Sequence, residues 1–233
     1  PTLDAQRERV SERALAQTLR LLEGWRRVQP PAPPFSPEEP PPPPTAEELA
    51  EAAALRAARQ REAFGFELAV GESAAGEGAG RGVFLRGGVA PGSVLALYPG
   101  VAMTPYDLLT MPGGTARFKD NEYLMARFDG AVIDASADGL AKLPHEGADC
   151  PLAVGHLFNH PPADVAPSVV PCAVDFDADV PHDLVPLLPN VHYLPASEQQ
   201  LLASNQQQLL LGEGATRTDG ITQQSLLLGD GAK

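Results

Sequence analysis

The first 28 residues alternate apolar and polar positions with the period of a helix. Apolar side chains recur every three to five residues among Arg, Glu and Gln, and they are Val10, Leu15, Leu19, Leu22 and Trp25. This spacing places them on one face of an amphipathic helix. We predict that residues 1–29 form an N-terminal helical segment, with its helix running from Ala5 to Val28.

A second helix is predicted after an interruption by proline. Residues 30–44 contain ten prolines, five of them consecutive, and the fixed φ and missing N–H of proline exclude regular helix and sheet. We interpret this segment as an extended spacer rather than a polyproline II ligand, because no basic residue flanks it to orient a ligand. Thr45 and Glu48 then form a capping-box pattern, which predicts a helix within residues 45–63.

Residues 64–195 have the short apolar runs and frequent turn residues of β structure. Runs at Gly82–Leu85 and Ser93–Tyr98 flank the turn sequence 89–92, which is Val-Ala-Pro-Gly. We therefore predict that the sheet region begins here.

A β-hairpin is predicted in the middle of this region. Asp129-Gly130 separates the runs Tyr123–Phe128 and Ala131–Asp134. Asp-Gly suits a two-residue turn in which both central residues have positive φ. The sequence therefore predicts two antiparallel strands joined by that turn.

The last third of the chain is less regular. The run Val185–Val191 is interrupted by Pro186 and Pro189, which argues against a central strand. Residues 196–233 are rich in Gln and Leu and repeat a Leu-Leu-Leu-Gly phrase, as expected of a low-complexity or divergent tail. The fold class predicted for residues 64–195 is mainly β with added helices.

Charge and cysteine content limit the function classes. A net charge of −13 and a pI near 4.7 oppose the clustered Lys and Arg that direct nucleic-acid binding needs. Cys150 and Cys172 are too few for a zinc cage, and we expect two reduced, packed thiols. No apolar run reaches the roughly 18 residues of a membrane span, and the N-terminus lacks the pattern of a signal peptide. We therefore expect a soluble intracellular protein of the nucleus or cytoplasm, without membrane contact.

Several local motifs carry little weight when each is read alone. The glycines at 76, 78, 80 and 82 lack the strand-then-helix context of a dinucleotide fold and the Lys-Ser/Thr of a P-loop. His156 and His160 have the spacing of metal ligands on a helix, but the proline after His160 argues against a helix. No metal site is predicted at these histidines.

The Asp residues of 175–183 lack the Glu that closes a calcium loop, so we interpret them as a solvated acidic loop.

Four segments carry a resemblance when they are taken in chain order, and they are Ala79–Phe84, Val89–Gly100, Phe128–Asp134 and Val154–His160. They resemble the SET-domain protein lysine methyltransferases. Three motifs look closest to the SET domain-containing protein 9 subgroup, and they are Phe64–Phe66, Tyr98–Gly100 and Pro189–Tyr193. The resemblance covers about Phe64 to Pro195. It implies a SET-type fold of small twisted sheets with a knot-like C-terminal region, preceded here by the two N-terminal helices and the Pro-rich linker.

The resemblance also implies a cofactor and a substrate class. In the family, the Gly-x-Gly segment, here Gly80-Arg81-Gly82, and the Asn-His pair, here Asn159-His160, bind S-adenosyl-L-methionine. Unhindered backbone amides and an amide side chain suit the polar ends of that cofactor. The implied substrate is a lysine of a protein or peptide, and Tyr123 resembles an aromatic residue of the lysine channel.

Two departures from the family pattern leave two functions open. The family places Ser-Cys and Pro-Asn after its Asn-His pair, whereas Pro161-Pro162 follows here. The family's Gly-Glu-Glu-Leu segment and catalytic tyrosine have no counterpart after Tyr193, the last tyrosine, so the catalytic residue is unassigned. One hypothesis is an S-adenosylmethionine-dependent protein lysine methyltransferase incomplete at its C-terminus. The other is a non-catalytic SET-like interaction module that still binds the cofactor and contacts partners through its N-terminal helices.

Overall fold

The computed structural model describes residues 2–30, 43–73, 79–161, 164–176 and 180–195. Most of the predicted Pro-rich linker, the first glycines of the glycine cluster, part of the acidic loop and the whole predicted tail lie outside these ranges. The knot-like C-terminal region therefore stays a prediction.

Helix α1 spans Leu3–Val28, close to the predicted bounds. It begins at Thr2, whose hydroxyl accepts a hydrogen bond from the backbone N–H of Ala5 at 3.3 Å, as an N-cap does. The buried face consists of Ala14, Thr18, Leu22 and Trp25. Val10 is 55% exposed, so the expected apolar stripe is buried only in the second half of the helix.

Helix α2 spans Ala46–Phe64 and carries the predicted capping box. The hydroxyl of Thr45 accepts from the N–H of Glu48, and the Glu48 carboxylate accepts from the N–H of Thr45 at 2.7 Å. The helix ends at Gly65, whose φ of +78° is the left-handed conformation common after a helix. At that end α2 crosses α1 closely, because a Cβ on Gly24 would lie 2.6 Å from the carbonyl oxygen of Ala63.

The first sheet is a two-stranded antiparallel hairpin. Strand β1 spans Glu67–Glu72 and strand β2 spans Arg81–Arg86, with Glu67 opposite Arg86 and Glu72 opposite Arg81. The carboxylate of Glu67 is buried and pairs with the guanidinium groups of Arg61 and Arg86. These ion pairs tie the end of α2 to both strands.

The second sheet has four strands in the order β4-β5-β3-β6. Their ranges are Gly100–Met103 for β3, Leu124–Ala126 for β4, Val132–Asp134 for β5 and Asn190–His192 for β6. Strand β5 runs antiparallel to β3 and β4, whereas β6 runs parallel to β3. Since β6 is an edge strand, Pro189 directly before it is tolerated.

Three short α-helices and three 3₁₀ helices fill the connections within the described part of the chain. The α-helices are α3 at Pro105–Thr110, α4 at Ala137–Leu140 and α5 at His145–Ala148. The 3₁₀ helices are Gly114–Phe118, Gly155–Leu157 and Val185–Leu187. About 40% of the described residues are helical and about 15% lie in strands. The structure thus combines small sheets with added helices, as the predicted fold class does, although helices account for more residues than strands.

The predicted hairpin forms, but with a longer turn. Strands β4 and β5 pair, and the N–H of Arg127 donates to the carbonyl of Ala131 at 2.8 Å. Gly130 has φ +84°, while no non-glycine residue of the described chain has positive φ. The loop is therefore three residues long with glycine in the left-handed position, and the predicted two-residue turn is wrong.

The run Ser93–Tyr98 is not a strand of either sheet. Its backbone finds other partners: the N–H of Val94 donates to the Gln17 side chain at 3.1 Å, and the N–H of Leu97 donates to the carbonyl of Leu152 at 2.7 Å. The predicted turn before it does form, with Gly92 at φ +81°. A short apolar run does not show whether its backbone will form hydrogen bonds to a neighbouring strand or to other groups.

The main core joins α1 to the later chain. Buried Leu22 and Trp25 of α1 pack in one cluster with residues of β1 and of the segments 150–154 and 180–188. Cys150 lies in this cluster, but Cys172 is exposed, and neither forms a disulfide. The expectation of two packed thiols therefore holds for Cys150 alone. Within the described ranges, no helix has the length and apolar character needed to cross a membrane.

Candidate functional site

The start of β2 offers an open backbone. Gly80 has φ +61°, and nothing lies within 4 Å of the position that a Cβ would take there. Its carbonyl accepts from the N–H of Ser73 at 2.8 Å, which fixes this end of the hairpin. A left-handed conformation requires glycine here, and the open side leaves backbone that a ligand could approach.

Asn159 lies against this same backbone. Its side-chain Nδ2 donates to the carbonyl of Arg81 at 3.2 Å, across 78 residues of sequence. A Cβ on Gly82 would lie 3.2 Å from that nitrogen and 3.4 Å from the side chain of Ser73. The fold therefore brings Gly80, Arg81, Gly82 and Asn159 together, and glycine at 82 gives the Asn159 amide its place.

His160 takes a different position. Its side chain is exposed, and no hydrogen bond or ion pair joins it to another of the described residues. Both members of the Asn-His pair are exposed, and the structure joins only Asn159 to β2 by a hydrogen bond.

The ring of His156, three residues before Asn159, belongs to a cluster of three aromatic rings. His156 packs edge-on against Tyr98, with ring centroids 6.4 Å apart, and against Tyr123, at 6.2 Å. The Nδ1 atom of His156 is buried and has no hydrogen-bond partner within the described chain. We call these three residues the Tyr-His-Tyr cluster.

Two backbone contacts hold the Tyr-His-Tyr cluster in place. The N–H of Gly155 donates to the carbonyl of Leu97 at 3.0 Å, and a Cβ at Gly155 would lie 2.9 Å from the Cα of Tyr98. The side chain of Asn190 donates to the carbonyl of Tyr98 at 2.9 Å. Glycine at 155 is what allows the chain to pass so close to Tyr98.

The surroundings of His156 and Tyr98 favour the uncharged form of each side chain. Burial lowers the pKa of His156, and the positive charge of Arg81 lowers it further. Burial, together with the negative charge of Asp134 and the neighbouring Tyr123 phenol, raises the pKa of Tyr98 to about 12. Desolvation disfavours the charged form of both groups, so a neutral imidazole faces a neutral phenol.

Tyr123 also borders a cleft of about 510 Å³. Residues 116–123 form one wall, and residues between Asp134 and Lys142 form the other. The amide of Asn121 bridges the walls by donating to the Asp134 carboxylate at 2.8 Å. Tyr123 is 45% exposed and lies between this cleft and the ring of His156.

Metal ligation finds no support in the part of the chain that the structure describes. No group of three or more His, Cys, Asp or Glu side chains there is arranged to hold an ion. His156 instead contacts aromatic rings.

Sequence reasoning missed Tyr98 and His156 as parts of this site. Tyr98 stood in a predicted strand, and His156 was considered only as a metal ligand. No local pattern marks either residue, because their ring contacts join segments that are distant in sequence.

Comparison with known proteins supports a distant relationship to SET-domain proteins. The chain is 27% identical over 137 aligned positions to SET domain-containing protein 9 of Pongo abelii, covering 49% of this chain and 48% of that protein. It is 27% identical over the same length to SET domain-containing protein 9 of Homo sapiens, covering 44% of that protein.

The matched region is limited in extent. The chain spans about half the length of the curated relatives it matches. No protein-family model matches the chain, and no solved structure matches it.

Proposed function

We propose that this chain is a SET-type protein lysine methyltransferase that takes S-adenosyl-L-methionine at the start of β2. The observation that carries the proposal is the hydrogen bond from Asn159 to the carbonyl of Arg81. It joins the Gly-x-Gly and Asn-His motifs, which the sequence alone could only place in order. The similarity to SET domain-containing protein 9 supports the same assignment.

The residues at this place suit the polar ends of such a cofactor. The Asn159 amide has two N–H donors and a carbonyl acceptor, and the contact to Arg81 uses only one donor. The backbone at Gly80 is open on one side. We assign the binding of the cofactor to Gly80, Arg81, Gly82, Asn159 and His160, with the exposed His160 at its outer edge.

The cofactor would supply an electrophilic methyl group, and the protein would position and desolvate a lysine amine. Amine attack requires an unprotonated nitrogen held in line with the methyl group. Tyr123 lines the cleft and contacts the ring of His156, and we assign it to the wall of the lysine channel. Neutral aromatic walls favour the neutral amine over the ammonium ion.

A Pro-Asn pair farther along the chain supports the same reading. Pro189-Asn190 precedes β6, and the Asn190 side chain donates to the carbonyls of Tyr98 and Gly100 at 2.9 and 3.4 Å. We propose that this pair takes the place of the Pro-Asn that the family has after its Asn-His pair. It would then position Tyr98 for the site.

The second candidate function is a non-catalytic SET-like module. Leu49 and Leu55 of α2 are 56% and 52% exposed, and α2 would then serve as the contact to a protein partner.

Calorimetric titration with S-adenosylmethionine tests the cofactor assignment. We expect saturable binding that weakens about tenfold in Asn159→Ala, since one directed hydrogen-bonding group is removed. His145→Ala is the matched histidine control for His160→Ala, because the His145 side chain is 88% exposed on α5. Binding that is absent at millimolar cofactor, or that Asn159→Ala leaves unchanged, would contradict the assignment.

Transfer of labelled methyl groups to peptide lysines separates the two functions. Incorporation that Tyr123→Phe or Tyr123→Ala alters while cofactor affinity is kept supports the enzyme. Cofactor binding without any incorporation supports the non-catalytic module.

A further inference from the structure

A second cavity lies at the opposite end of β2 from the proposed cofactor site. It has a volume of about 400 Å³, is bordered by α1, the end of α2 and residues 88–94, and is open to solvent on its outer side. The strand between the two places covers about 17 Å at the usual rise of roughly 3.3 Å per residue. This cavity is therefore separate from the Gly80–Asn159 contact.

The walls of this cavity are of two kinds. Leu21, Phe64, Phe66 and Val89 supply an apolar lining. Arg20 is the one charged residue among the lining residues, and none of them is acidic. In a chain with 30 acidic and 17 basic residues, a lining with a single cation and no carboxylate is a local reversal of the overall charge.

Arg20 is not engaged by the protein. Its side chain is exposed on α1, and among the described residues no carboxylate pairs with it, although Arg26 and Arg27 of the same helix have such partners. The Gln17 amide, by contrast, is already held by the carbonyl of Gly92 and the N–H of Val94. The guanidinium of Arg20 is therefore the polar side-chain group that a ligand in this cavity could bind.

We propose that this cavity binds a small amphipathic carboxylate, with its anionic end on Arg20 and its apolar body against Phe64 and Val89. A volume of about 400 Å³ equals roughly 13 water volumes at about 30 Å³ each, which is room for an acid of eight to ten carbons. Because the cavity lies between α1 and the chain that follows α2, the ligand would fasten the N-terminal helix to the rest of the fold.

Octanoate is the probe, and Trp25 is the reporter. The chain has a single tryptophan, whose ring lies 5.8 Å from Phe64 in the cavity wall. We expect octanoate to change the Trp25 fluorescence saturably, below the concentration at which octanoate aggregates, with a matching heat in calorimetry. Arg20→Gln should weaken octanoate at least about tenfold, because a charge-assisted hydrogen bond is lost, and should leave 1-octanol little changed.

Two kinds of variant serve as controls. Arg13→Gln removes an exposed arginine of α1 that does not line the cavity, and it should bind octanoate like the wild type. Gly88→Leu should abolish binding of both probes, since nothing lies within 4 Å of a Cβ there and the new side chain fills the cavity. Ala90→Phe blocks the same space from an exposed position, should Gly88→Leu fail to fold.

The outcomes are distinct. Saturable octanoate binding that Arg20→Gln weakens and a folded blocking variant removes supports the site. Absence of both a fluorescence change and a heat would overturn it, as would equal octanoate affinity in Arg20→Gln and Arg13→Gln. Cofactor affinity at the other end of β2 should be the same in all these variants.

Discussion

Asn159 reaches the carbonyl of Arg81 directly beside Gly82, where an added side chain would crowd it. A Cβ at position 82 would lie 3.2 Å from the Asn159 amide nitrogen and 3.4 Å from the Ser73 side chain. At the residue scale, the candidate cofactor pocket therefore depends on the absence of a side chain as much as on the amide itself.

Gly82→Ala is predicted to displace the Asn159 amide. We expect a loss of about 1–3 kcal/mol in the free energy of unfolding, the usual effect of overpacking, together with weaker cofactor binding. Urea denaturation measures the first and calorimetry the second. Gly88→Ala is the matched control, since its Cβ would meet open space, and a loss of similar size there would contradict this explanation.

His156 predicts a pH dependence of stability. Its folded-state pKa is lowered by burial and by Arg81, so below the ordinary value of about 6.5 the unfolded chain binds a proton that the folded chain resists. The stabilisation from neutral His156 is thus full above about pH 6.5 and is lost as the pH falls toward the folded-state pKa.

Urea denaturation at pH 7.5 and pH 5.5 measures this effect. We expect the drop in unfolding free energy between these values to be smaller in His156→Phe than in the wild type, while His182→Phe, at an exposed position, should match the wild type. An equal drop in wild type and His156→Phe would contradict the role of His156.

At the scale of elements, α2 depends on its own ends more than on the core. Gln60 is its one fully buried residue, and it accepts from the N–H of Leu68 at 2.8 Å. The helix begins with a capping box and ends with a left-handed glycine. The stability of its first turn should therefore depend mainly on the capping box.

Thr45→Ala is predicted to fray the start of α2. Loss of an N-cap side chain costs about 1 kcal/mol of helix stability, so the amides that follow Thr45 should exchange with solvent several-fold faster. Hydrogen–deuterium exchange measures this. Thr110→Ala, which removes a hydroxyl from α3, should leave these amides unchanged, and equal rates in both variants would contradict the prediction.

The elements also show what the sequence could predict. The capping box at Thr45, the helix up to Val28 and the hairpin around Gly130 depend on residues close in sequence, and all three form. The predicted turn length was wrong because Asp129 does not take positive φ. The Asp-Gly sequence is compatible with either conformation of Asp129. The Tyr-His-Tyr cluster depends on contacts between distant segments, and no local pattern of the chain encodes them.

At the scale of the whole molecule, α1 belongs to the same core as the later chain. Leu22 is fully buried with Phe66, Leu152 and Leu184. A single cluster of this kind unfolds cooperatively in most small domains. The N-terminal helix is therefore expected to unfold together with the sheets.

Leu22→Ala tests this cooperativity. We expect a loss of about 2–5 kcal/mol and equal shifts in two unfolding curves, one from Trp25 fluorescence and one from labelling of the buried Cys150 thiol in a Cys172→Ser background. Leu49→Ala, at a position 56% exposed, should shift neither by more than about 0.5 kcal/mol. If Cys150 stayed protected from labelling after the Trp25 fluorescence had reached its unfolded value, α1 and the rest of the fold would be two units that unfold independently.

The central claim is that S-adenosylmethionine binds where Asn159 meets β2, and backbone amide NMR tests it most directly. Addition of the cofactor to the ¹⁵N-labelled chain should shift the amide signals of Gly80, Arg81, Gly82, Asn159 and His160, and Asn159→Ala should raise the concentration needed. Unchanged spectra at millimolar cofactor, or shifts confined to other parts of the chain, would contradict the claim.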